Sequence, residues 1–408
     1  MNSEQQYIDL YKDISEQLKL KSCPVMNAQR DSAFSTFCSQ GFPTGKNERY
    51  KYSDIPVAFA PNYGISMNAA SIMPSEYIFP ISSSPIDLSG YYNKIADQSD
   101  SLTALNTFIT LDGILIYVPK NHSPAAPIQI DNRLKGNIPT MLNRRLLIIL
   151  EEGAQATVII NDRGSEQVSD TTFLTTQVLE ICCHKYSSLD IYEVEETTSA
   201  CSRFSNVYIK AEEASTVKHN SITLTNGYTR NLCDAYLVGR NSKIALNGCV
   251  IGSDNQHIDN NTLITHCAPD SQSEQLYKYV LDGQSVGAFA GKILVEKDAQ
   301  KITSQETNAN LCASPSARMY SQPMLEIYAD DVKCNHGSTV GVMDENALFY
   351  MRQRGIPESE ARMLLKNAFM GGVIDQIPLQ ALRDRLYVKI EKRFRGEYEK
   401  CESCRLCK

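Results

Sequence analysis

Leu146-Leu-Ile-Ile-Leu150, Ala156-Thr-Val-Ile-Ile160, Val178-Leu-Glu-Ile-Cys182 and Ser188-Leu-Asp-Ile-Tyr192 decide the fold class. Each is a short run rich in β-branched and aliphatic residues, and no 10–15-residue helical pattern separates one from the next. The series continues through Asn206–Ile209, Ser221–Leu224, Lys243–Leu246, Asn261–Ile264, Tyr277–Leu281 and Lys292–Val295. Gly, Asn, Asp and Ser punctuate the runs, at spacings of about 8–20 residues. Several runs alternate apolar and polar side chains, as a strand with one buried face requires. These features predict a mainly β core.

A β-sandwich and a β-solenoid both accommodate the runs. Two features favour the solenoid. The strands recur over more than 200 residues from about Ile109, too long for one ordinary sandwich. The turns are also rich in Asn and small residues, which suits stacked coils. No strict repeat is visible.

Helical patterns flank this region. Tyr7, Ile8, Tyr11, Ile14 and Leu18 recur at helical spacing. A second short helix is predicted from Asp31, as its cap, to Gln40, with Gly41 ending it. At the other end Asp344 caps a helix carrying Ala347, Leu348 and Met351. Pro357 opens the next helix, striped by Ala361, Leu364, Leu365, Ala368 and Phe369 and stopped at Gly371-Gly372. A third presents Leu379, Leu382, Leu386, Ile390 and Phe394. Such short helices need a packing partner. They either cap the open end of a solenoid or also dock another protein. The predicted division is 1–105 (N-terminal helical region), 106–342 (β core) and 343–408 (C-terminal helices with a Cys-rich tail).

Composition narrows function. The net charge of -7 argues against nucleic-acid binding. No apolar run approaches the roughly 20 residues of a membrane span, and the first residues lack a signal-peptide pattern. A cytoplasmic protein with mostly free thiols among its 13 cysteines is expected.

Several motifs could carry chemistry. Leu325-Glu-Ile-Tyr-Ala-Asp-Asp-Val-Lys-Cys-Asn-His-Gly337 places Cys334 and His336 two apart on a strand, hence on one face. One thiolate and one imidazole make an incomplete metal site; both also suit a buried structural role. Asp330 and Asp331 read as solvated turn residues or as neighbours of a partner. His257, His266 and Cys267 read as structural, as do Cys182, Cys183 and His184. Gly287-Ala-Phe-Ala-Gly-Lys292 is no phosphate loop: its glycines are too close, and Ile293 stands where Ser or Thr belongs. Cys401, Cys404 and Cys407 have the spacing that opens a ferredoxin-type cluster motif, one thiolate short of four. They suit metal or sulfur handling, or a frayed terminus with exposed thiols.

The wording of three segments resembles the SufB/SufD family of iron–sulfur cluster assembly proteins. They are Gly41-Phe-Pro-Thr-Gly-Lys-Asn-Glu-Arg-Tyr-Lys-Tyr-Ser-Asp-Ile55, the block from Asn255 to Val295, and the stretch from Leu325 through Ile356. The Lys333-Cys-Asn-His-Gly337 wording, with only Cys23 and Cys38 as early cysteines, fits the SufD side of the family better than the SufB side. The resemblance implies a right-handed parallel β-helix between small helical domains. It implies a non-catalytic scaffold that pairs with a SufB-like subunit and binds a SufC-like ATPase, with a homodimer as the form taken alone. His336, with Cys334, would lie at the SufB junction. Leu348, Met351, Leu364, Leu365 and Phe369 would mark the SufC-docking helices. No cofactor is expected to be firmly held; iron or a nascent cluster would pass transiently at the junction. The alternative from another class is a β-helix carbohydrate-active lyase or hydrolase, which the absence of Trp and of an export signal disfavours.

Overall fold

In the computed structural model, which describes residues 3–66, 70–72, 75–134, 138–164 and 171–397, helices precede and follow a long β region. The first helices are α1 (Ser3–Lys21), α2 (Pro24–Gln40), the short α3 (Ile55–Ala58) and α4 (Ser101–Ile109). Helix α2 begins at Pro24, which suits a first-turn position. Asp31 is not its cap but pairs with Lys19 of α1 at 2.7 Å. Gly41 ends the helix as predicted, at φ 65° with its N–H on Phe37 O. Tyr7, Tyr11, Phe37 and Phe108 bury together in this region.

Three short strands, β1 (Gly64–Ser66), β2 (Ala70–Ile72) and β3 (Ile78–Pro80), join the two sheets of the β region. The first sheet then runs through β4 (Ile114–Val118), β6 (Thr140–Leu150), β8 (Phe173–Cys183), β10 (Cys201–Ala211), β12 (Tyr228–Leu237), β14 (His257–His266), β16 (Val286–Val295) and β18 (Arg318–Ile327). The second runs through β5 (Ile128–Leu134), β7 (Gln155–Gly164), β9 (Ser188–Glu196), β11 (Thr216–Thr225), β13 (Lys243–Gly252), β15 (Gln272–Leu281), β17 (Ile302–Cys312) and β19 (Val332–Val342). From β4 on, each strand pairs in parallel with the strand two places along the chain. The chain therefore alternates between sheets and gains one coil per pair of strands. That is the solenoid; a sandwich would pair antiparallel neighbours.

Two repeating features hold the coils in register. Asn121, Gly153, Tyr186, Ala214, Asn241, Asp270 and Lys301 all sit in the left-handed region, with φ from 54° to 71°. Each of the first six donates its N–H to the residue just before the next such position, as Tyr186 does to Glu213 and Ala214 to Arg240, both at 2.9 Å, and Lys301 donates to Asp331 at 2.6 Å. The conformation costs about 1–2 kcal/mol per non-glycine residue, and the coil-to-coil bond helps hold it. Inside, Ile148, Ile181, Ile209, Ala235, Ile264 and Ile293 form one in-register, buried column.

The same interior holds charge. Arg144, Asp162, Glu193, Arg203 and His219 are buried side by side. Arg203 donates to Asp162 Oδ2 at 2.7 Å and to Glu193 Oε1 at 2.9 Å. His219 Nε2 lies 2.8 Å from Glu193 Oε2, and Arg144 pairs with Asp162. Burial alone would raise both carboxyls. The Arg144 and Arg203 charges hold Asp162 far below its usual range, and the His219 bond with the Arg203 charge holds Glu193 down to about 2.

The C-terminal helices are α5 (Glu345–Gln353), α6 (Glu358–Ile374) and α7 (Gln380–Phe394). Gly371 and Gly372 do not stop α6. Gly372 faces the sheet, where Lys278 Nζ donates to Phe369 O at 2.9 Å and a Cβ on the glycine would fall 2.5 Å from that Nζ, while a Cβ on Gly371 would meet Tyr387 Oη at 3.3 Å. Helices α6 and α7 bury Met370, Val373, Ile374, Leu386 and Ile390 against Ile222, Leu224, Cys249 and Ile251. They flank the second sheet, so the prediction that they cap the open end is wrong for this pair. Among the described residues no helix is long and apolar enough to cross a membrane.

Because Arg203 is the charge between two buried carboxylates, Arg203→Ala is expected to destabilise the fold by about 3–5 kcal/mol. Denaturant unfolding checks this; a loss under 1 kcal/mol would mean that the network relaxes at little cost.

Candidate functional site

The last coil leaves both sheets open. Among the described residues, strand β18 pairs with β16 alone and β19 with β17 alone. An edge of this length carries unpaired N–H and C=O groups along its whole run. Strand β19 is exposed almost throughout, with Val340 at 54% and Val342 at 77%.

Register sets what this edge presents. Ile302, Ser304, Glu306, Asn308 and Asn310 of β17 are buried at alternate positions, which marks the interior column. Their partners on β19 are Val332, Cys334, His336, Ser338 and Val340. Cys334 and His336 thus share the inward face, as their spacing predicts. Cys334 is half-buried against Ile293, Val295 and Ile302, and burial pushes its thiol up. His336 is exposed because no further coil lies over it.

Beneath His336 lies a residue that the sequence reading missed. Glu306 is fully buried, and burial pushes its carboxyl from 4.5 up to about 8. Gln275 Nε2 donates to its Oε2 at 3.2 Å, while Oε1 has no hydrogen-bond partner. An acidic residue on an otherwise uncharged inward column was the available signal, readable once the register is known.

The 41–55 segment straps the outer face of the first sheet and reaches this end. Arg49 bonds Asp234 Oδ2 and Asn261 Oδ1, at 3.0 and 3.2 Å, and Ser53 donates to Asp259 Oδ2 at 2.5 Å. Arg230 lies 3.8 Å over the Tyr50 ring, and Tyr52 stacks on Tyr320 of β18 at 4.9 Å. The first two segments singled out from sequence therefore meet here.

Other candidates fall elsewhere. His257 and His266 sit at opposite ends of β14, roughly 30 Å apart at ~3.3 Å per residue. His257 stacks on Tyr228; His266 bonds Ser271 and Ser273, and burial lowers it to about 4. Cys183 faces the interior, while Cys182 faces outward among Tyr92, Leu115 and Leu147. Asp330 and Asp331 are exposed in the turn before β19. Gly287–Lys292 lies within β16, and Lys292 pairs with Glu326. Cys401, Cys404 and Cys407 lie outside the described residues. Among the described residues no group of three or more His, Cys, Asp and Glu could hold a metal ion.

The docking residues divide. Leu348 is buried, Met351 half-buried, and Leu365 and Phe369 pack toward the sheet. Only Leu364 of the five is exposed, at 40%; Phe349 at 62% and Tyr350 at 59% are the larger apolar groups facing out.

Residues 132–369 match the model of the SufBD core domain of the SUF iron–sulfur cluster assembly system. Residues 1–79 and 81–130 match the SufBD N-terminal region. The chain belongs to the SufBD family. It is 28% identical to the iron–sulfur cluster assembly protein SufD of Escherichia coli, covering 87% of this chain and 90% of that one. A SufBD family protein of Synechocystis is 27% identical, covering 78% and 69%. SufD of Bacillus subtilis is 26% identical, covering 72% and 66%. Family membership gives the chain a role in iron–sulfur cluster assembly and leaves the carbohydrate-active alternative without support.

Glu306 makes a pH prediction. Between pH 4.5 and about 8 the folded carboxyl keeps a proton that the unfolded chain releases, so its contribution to stability falls as pH rises. Glu306→Gln should remove a loss of up to about 1.4 kcal/mol per pH unit in that window. Unfolding of both proteins at several pH values tests this; parallel pH profiles would refute it.

Proposed function

We propose that this SufBD chain is a non-catalytic scaffold subunit of the cytoplasm. It pairs with a SufB-like subunit through the open end of the solenoid, and His336, with Cys334, completes a shared site there for iron or a nascent cluster as substrate. The observation that carries this reading is the edge of β19, which among the described residues is unpaired and has two donors on its inward column with no third ligand. A second solenoid docked on that edge would satisfy its backbone groups and could supply the remaining donors. Alone, two copies of the chain can meet by the same edges. The tail cysteines Cys401, Cys404 and Cys407 remain a candidate for metal or sulfur handling.

ATP hydrolysis belongs to a SufC-like partner, since no phosphate-binding loop occurs in the sequence. The exposed Phe349, Tyr350 and Leu364 of α5 and α6 form the surface we assign to it. Aromatic anchors of this kind carry much of an interface's energy.

Two experiments test the reading. His336→Ala should leave the unfolding midpoint unchanged while cutting cluster formation by the assembled complex about tenfold or more; normal cluster yield would return His336 to a structural role. Phe349→Asp with Tyr350→Asp should weaken capture of the SufC-like subunit by about 2 kcal/mol or more, measured by calorimetry. Unchanged affinity would move the docking surface elsewhere.

A further inference from the structure

Glu306 has an unused acceptor. Its Oε2 is held by Gln275, which in turn accepts from Thr262 Oγ1 at 2.7 Å. Its Oε1 is buried without a partner. Gly291, on the opposite sheet, leaves the space that this carboxyl occupies: a Cβ there would fall 2.5 Å from Oε1. The other polar groups of this column are engaged. Ser304 bonds Ser273 at 2.6 Å, and Asn308 Oδ1 accepts from Asn310 at 2.6 Å and Ser321 at 2.7 Å.

The position in register above Glu306 is His336. Parallel neighbours lie about 4.8 Å apart and point their side chains the same way. An imidazole that binds a metal uses one nitrogen, and its other N–H needs an acceptor to fix the ring. The free oxygen of Glu306 stands where that acceptor would be needed.

We propose that Glu306 is a positioning residue for His336: its Oε1 accepts the N–H of one ring nitrogen and turns the other toward the iron or cluster at the subunit junction. This rests on the reading of His336 as a donor to the shared site. In the free chain His336 is solvated. Docking of the partner would close the end of the solenoid and favour the inward contact. As the imidazole N–H pairs with Oε1, the proton that the carboxyl keeps in the free chain passes to solvent, and the carboxylate and the imidazole share one hydrogen bond.

The test is a double-mutant cycle in the full complex with its SufB-like and SufC-like subunits. Iron bound and cluster formed are measured in anaerobic reconstitution for Glu306→Gln, Glu306→Asp, His336→Ala and the Glu306→Gln/His336→Ala pair. Unfolding of each isolated chain serves as the control for folding. Glu306→Gln is expected to fold normally at neutral pH, yet to lower cluster formation about tenfold. Glu306→Asp should recover part of that loss, and the double variant should be no worse than His336→Ala. If His336→Ala is impaired while Glu306→Gln matches the native chain, this proposal alone fails. If the two losses multiply in the double variant, Glu306 acts separately from His336, and the proposal fails too. A silent His336→Ala removes the underlying reading and this inference with it.

Discussion

Parallel pairing between successive coils is the constraint on which the rest depends. It stacks side chains of equal register into columns, so one coil's choice of residue limits its neighbours'. The isoleucine column from Ile148 to Ile293 is one result. The ladder of left-handed residues from Asn121 to Lys301 is another, since each donates its N–H to the next coil. Pairing of this kind does not end itself. A last coil has the same donors and acceptors as the others but lacks a successor, and here no helix among the described residues lies over it.

The interior is more polar than a β core of this size requires. Arg144, Asp162, Glu193, Arg203 and His219 pair with one another, and the two carboxylates stay ionised because positive and hydrogen-bonding groups offset the cost of burial. Toward the open end Tyr277, Tyr279 and Phe289 fill the interior, and beyond them Glu306 has no compensating charge. Its carboxyl answers the same burial by holding its proton. One lumen thus solves one problem in two ways, by pairing and by neutralisation.

Much of this was legible in the sequence. The short strands, the flanking helices and the shared face of Cys334 and His336 followed from period and spacing. The coil repeat did not, because its turn position tolerates Gly, Tyr, Ala, Asn, Asp and Lys alike: backbone hydrogen bonding, not residue identity, marks it. The role of Gly371-Gly372 was misread because glycines also sit inside a helix where side chains come close, here Tyr387 at Gly371 and Lys278 at Gly372. The outward placement of Phe349 and Tyr350 was missed because helical spacing alone cannot say which apolar residues the sheet will take. Glu306 was hidden because its meaning comes from its neighbours in space, Gln275, Gly291 and His336, which lie far apart along the chain.

On the proposed function, an open edge and an incomplete donor set are one design seen twice. Backbone groups along β19 favour a partner wherever one can pair, whereas Cys334 and His336 gain chelating power only if that partner brings further donors. Coupling the two would make the site exist only in the assembled particle, so that iron would find no strong site on a stray subunit. A site buried within one protomer would lack that safeguard. The half-exposed setting of Cys334, whose thiol burial keeps protonated, and the exposed setting of His336 are what such coupling calls for. On the proposed reading each would be a weak ligand on its own, one strand away from being enclosed.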